Sequence, residues 1–138
     1  MQTFLPDESF VESLACLEYR RLCKQRLDAL IIGRIVEGIT PTSRWRNHPA
    51  VQMWIGYPFA IWYYYNCAIE EWVRRGYQNN MSKHLLDYRN IFPPWLGDKL
   101  FHTSHRERLL EKNFEHYSQF GWIEKPGLIY FWPTKNGY

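Results

Sequence analysis

The chain has 138 residues, 46% of them hydrophobic and 18% aromatic, which suits one folded domain burying roughly two thirds of its unfolded surface and excludes a disordered segment. Its formal net charge of +3 permits nucleic-acid binding without requiring it, because clustering of Arg and Lys matters more than their total. Cys16, Cys23 and Cys67 are an odd number without a close metal-type pair, which argues against a disulfide scaffold and for reduced thiols acting as small core residues.

The opening "MQTFLPDESF" has no basic stretch followed by an apolar run, and no window is long and apolar enough to span a bilayer. A soluble intracellular protein with no membrane partner is therefore expected. Pro6 is followed by Asp7 and Ser9, both capping residues, so the first helix is predicted over residues 7–38, with Gly38 as its stop. Steps of three and four along it join Leu14, Glu18, Arg21, Gln25, Asp28, Ile32 and Ile35 into one stripe. The ends of this stripe are apolar and its centre is polar. An ionised group facing the interior is expensive unless paired or hydrated, so the centre must meet charged partners or a cleft. The pairs Glu18–Arg21 and Lys24–Asp28 have helix spacings that would satisfy it internally.

"ITPTSRWRNHP" reads as a connector, restricted by Pro41 and Pro49. Within it Arg44, Arg46, Asn47 and His48 place donors beside the Trp45 indole just before a helix start, a pattern suited to phosphate; a solvated connector with Trp45 docked on the core is the alternative. A second helical region is predicted over 49–75, closed by Gly76 and kinked or split at Gly56 and Pro58. Residues 77–100 break the pattern, with "NIFPPWLGD" pinned by Phe92, Trp95 and Leu96. A third helix is expected from about residue 103 to 114 or slightly beyond, and a short aromatic tail follows. The fold class is all-α: one compact domain over 1–138, with three main helices and ordered loops. His102 and His105 are three apart, but no third ligand follows at a recognisable spacing, so no metal is expected. Phosphate-loop and serine-nucleophile motifs are absent from the sequence.

The segments "LEYRRLCKQRLDALII", "WRNHPAV", "EEWVRRGY" and "HTSHRERLLEK", followed by "HYSQFGW", in that order and spacing, resemble the pyrimidine-dimer DNA glycosylase (phage endonuclease V-like) family. The likeness runs over nearly the whole chain and is strongest to a bacterial branch sharing "RLxKQR" and "WRNHPAV". It implies a compact helical enzyme, needing no metal or cofactor, that acts on double-stranded DNA. In the family an N-terminal α-amine attacks the sugar C1′ of a damaged nucleotide, and the resulting imine allows strand scission by β-elimination. A helix-borne glutamate assists, and Asp28 falls at its position, one methylene shorter. Gln2 is too large for removal of the initiator residue, so Met1 itself is the expected nucleophile. An α-amine near pKa 8 is neutral more often than a lysine at physiological pH.

On this reading Met1 and Asp28 are catalytic, and Arg21, Lys24, Arg26, Arg44, Arg46, Asn47, His48 and Arg106 contact DNA. Trp122, with Tyr130 and Trp132, either fills the distorted duplex or packs in the core. A monomer is expected, in the cytoplasm or nucleoid or in a virus-infected host cell. The competing readings are a non-catalytic nucleic-acid-binding or virus-associated protein retaining the fold, and an enzyme of modified-nucleotide metabolism using the same groove.

Overall fold

The computed structural model describes residues 1–86, 89–124 and 132–133, and the regular structure among them is helical throughout. Helix α1 spans Phe10–Ala15 and begins at Ser9, whose hydroxyl accepts from the Glu12 N–H. Helix α2 spans Tyr19–Val36. The single helix expected over 7–38 is thus two helices, because the chain turns at Cys16–Glu18 to bury Leu17 completely. Distant side chains take up the carbonyls freed by the break: the Arg75 guanidinium donates to Leu14 O and Ala15 O at 3.2 and 3.1 Å. A ring nitrogen of His116 lies 2.8 Å from Cys16 O. Carbonyls satisfied in this way make a helix end tolerable without glycine or proline.

The second helical region divides as expected. Helix α3 spans Pro49–Gln52 and α4 spans Pro58–Arg74, separated by Gly56 in a left-handed conformation (φ +90°). At the end of α4, burial alone would raise the Glu71 pKa, but hydrogen bonds and charge from Arg74 and Arg75 outweigh it and lower the group. Helix α5 spans Lys99–Lys112. It starts earlier than residue 103 because the Asp98 carboxylate caps it, accepting from Leu100 N and Phe101 N. A short helix α6, Phe114–Tyr117, and a 3-10 turn, Ser118–Phe120, follow.

The main packing is α2 against α4. Gly33 makes it close, since a Cβ there would fall 2.7 Å from the Trp62 ring. Trp54, Tyr64, Phe101, Leu14, Leu22 and Ile32 are fully buried around this contact. Trp95 pins its loop by donating to Met53 O at 3.0 Å. Among the described residues no helix is long and apolar enough to cross a membrane.

The first residues do not form a helix, yet Gln2, Thr3, Phe4 and Leu5 are buried. Side chains supply the partners their backbone needs in the interior. Leu5 N donates to His105 Nδ1 at 2.8 Å, Leu5 O lies 2.7 Å from His102 Nδ1, and Tyr64 donates its hydroxyl to Phe4 O at 3.0 Å. Trp54 Nε1 donates to the Thr3 hydroxyl at 3.1 Å. The two histidines considered as metal ligands thus hold the chain's first segment.

Candidate active-site cleft

The polar centre of the α2 stripe opens into a cleft of about 480 Å³, lined by Met1, Gln2 and Phe4 from the first segment, by Glu18, Arg20, Arg21, Lys24, Gln25 and Asp28 at and on α2, and by Lys112 and Asn113 beyond. Leu14, Ile32 and Ile35 are buried at the two ends of the stripe. Helical spacing brings one face of α2 to the cleft, and the buried first segment brings the start of the chain to the same place.

Asp28 is 6% exposed. Its Oδ2 accepts from the Gln2 backbone N–H at 3.4 Å and lies 3.2 Å from Lys24 Nζ. The Met1 α-nitrogen is three covalent bonds from Gln2 N, a span of at most about 3.6 Å, so it lies within about 7 Å of the carboxylate. Lys24 is mostly solvent-exposed. At the other end Glu18 accepts from Arg21, from the Asn113 amide and from the Tyr117 hydroxyl. Burial pushes the Tyr117 phenol up to about 12, so it acts as a donor. Both internal ion pairs foreseen from the helix spacing therefore form, and both line a cleft.

Gln25 is 1% exposed and bonds through both ends of its amide. Its Oε1 accepts from Phe4 N at 2.9 Å and from the Tyr64 hydroxyl at 2.6 Å, while its Nε2 donates to Gln2 O at 2.9 Å. The amide engages residues 2 and 4 as a neighbouring strand would. Sequence spacing placed Gln25 on the stripe without assigning it a task, and it left out Arg20, Lys112 and Asn113 altogether. The signal present was an amide among charged neighbours.

The remaining candidates are placed apart from the lining. The Arg26 guanidinium lies 4.1 Å from the Trp72 ring centroid and donates to the Asn79 amide oxygen at 3.0 Å. Arg106 bonds to Glu124, Pro6 O and the Thr103 hydroxyl. Trp122 stacks on Tyr117 at 5.7 Å between ring centres. Arg44, Arg46 and Asn47 are exposed on the connector, and Trp45 packs against the core. His48 caps α3, its Nδ1 accepting from Ala50 N at 3.0 Å. Its pKa is lowered, first by burial and then by the positive Met1 terminus. Trp132 meets His48 edge to face at 6.0 Å, whereas Tyr130 lies outside the described residues.

Four cationic side chains and two carboxylates line the cleft. The excess favours an anionic ligand, and the exposed connector extends the positive surface. A family model described as pyrimidine dimer DNA glycosylase matches residues 1–85, well over half the chain and including the first segment, α2 and the connector. The chain belongs to the pyrimidine dimer DNA glycosylase family. The family is one of DNA glycosylases acting on pyrimidine dimers, and membership implies DNA as the substrate. No curated protein and no solved structure matches the chain. The matched span holds both Met1 and Asp28, while Lys112 and Asn113 lie beyond it.

Proposed function

We propose that this glycosylase cleaves damaged pyrimidine nucleotides in duplex DNA through the Met1 α-amine, with Asp28 as the assisting carboxylate and residues 1–138 acting as one domain. The neutral amine attacks C1′ and the C1′–N1 bond breaks, its electron pair leaving with the base, which takes up a proton. The attached nitrogen loses a proton as the sugar ring opens, giving an imine. Loss of a C2′ proton then expels the 3′-oxygen with its phosphate. Asp28 stabilises the cationic sugar and exchanges protons with the amine and ring oxygen; Arg20, Arg21, Lys24 and Lys112 hold flanking phosphates.

The observation that carries this reading is the 3.4 Å contact from Gln2 N to the Asp28 carboxylate at a cleft lined by Met1. Duplex DNA containing an abasic site, incubated with the protein and borohydride, should yield a covalent adduct that is lost when the N-terminus is acetylated or extended. An adduct that survives acetylation and maps to Lys24 would overturn the assignment. Failure to form any adduct would favour the non-catalytic alternative.

A further inference from the structure

Resting on the amine reading above, we infer that Gln25 is the positioning residue for the nucleophile. Its side-chain amide holds Gln2 O and Phe4 N, the carbonyl and amide that flank Thr3, and so fixes the direction in which Met1 enters the cleft. Neither the family match nor the proposed chemistry assigns Gln25 a role. Three features point to positioning rather than simple packing. The amide is almost wholly buried and yet lines the cleft. Its oxygen accepts twice and its nitrogen donates to the segment carrying the amine. It also stands one helical turn before Asp28 on the same face of α2, so one rigid element sets both the nucleophile and its carboxylate.

Tyr64 completes the device. Its single hydroxyl proton is shared between Gln25 Oε1 at 2.6 Å and Phe4 O at 3.0 Å, while the donor Phe4 N and the acceptor Gln2 O fix the amide with its oxygen toward the first and its nitrogen toward the second. A leucine or methionine at position 25 could fill the volume but could not hold either backbone group. A buried glutamate offers a finer probe. Ionised, it keeps the acceptor but sets a negative oxygen against Gln2 O; protonated, it donates there as the amide does.

The experiment measures borohydride-trapped imine on abasic-site duplex for wild type, Gln25→Met and Gln25→Glu, with duplex affinity measured separately. Wild type is expected to form its adduct at Met1. Gln25→Met is expected to slow imine formation by about 10- to 100-fold at nearly unchanged DNA affinity, the cost of a misplaced reacting group. Gln25→Glu is expected to be slow at pH 8, and its rate relative to wild type should recover as pH falls and the buried carboxyl takes up a proton. If Gln25→Met fails to fold, this relative pH profile decides. Wild-type rates in folded variants, a flat ratio for Gln25→Glu, or a loss wholly in affinity would overturn the role of Gln25 and leave the amine reading standing. A wild-type protein that forms no adduct at Met1 would overturn both.

Discussion

Asp28 is the residue on which helix spacing and the chain start converge, and its partners make opposing forecasts separable. Asp28→Asn preserves shape and removes the charge that would stabilise a cationic sugar. Single-turnover cleavage of abasic-site DNA should slow by an amount on the order of 2–4 kcal/mol, with DNA affinity held or improved. If Asp28 served only its exposed partner Lys24, the substitution would cost roughly 1 kcal/mol or less of stability and leave cleavage unchanged. His105 makes a second forecast. Complete burial lowers its pKa from 6.5 to about 3, and its Nδ1 must stay unprotonated to accept from Leu5 N. The unfolded chain binds that proton first, so stability should be full above pH 6.5 and fall as pH drops toward 3, by at most about 1.4 kcal/mol per unit. Chemical denaturation across this window should show the slope, and His105→Asn, which keeps an acceptor near Nδ1, should flatten it.

At the level of elements, α2 is both the wall of the cleft and the main partner of α4, and Gly33 sets how closely they approach. Alanine there would gain about 1 kcal/mol in helix propensity, but its Cβ would meet three Trp62 ring atoms at 2.7–2.8 Å. Overpacking of a rigid indole costs about 1–3 kcal/mol, so Gly33→Ala should lower the melting temperature. The α2 stripe and the split at Gly56 and Pro58 were legible in the sequence because apolar period, glycine and proline are local signals. The break at Cys16–Glu18 was not, since its carbonyls are satisfied by Arg75 and His116 from far along the chain. The buried first segment was hidden for the same reason: His102, His105 and Tyr64 supply what a strand partner would, and no local pattern announces such bonds. Arg26 shows the converse, for a basic residue in a basic run is drawn to Trp72 and Asn79 by neighbours that sequence order does not reveal.

Across the whole molecule, the exposed cations Arg20, Lys24 and Lys112 at the cleft and Arg44 and Arg46 on the connector are the surface that the proposed function assigns to the DNA backbone. Duplex affinity should fall steeply with salt, and Arg44→Ala with Arg46→Ala should reduce the log–log slope by roughly 0.9 for each phosphate no longer neutralised. A flat dependence would count against a backbone-binding surface. The central claim is that the fold brings the chain's own amine to a helix-borne carboxylate. Its most direct test is to trap the protein on abasic-site duplex with borohydride, digest the adduct and locate the added sugar by mass spectrometry. A modified Met1 and a much slower adduct in Asp28→Asn are expected; an adduct on Lys24, or an unmodified protein beside cleaved DNA, would contradict a Met1 nucleophile.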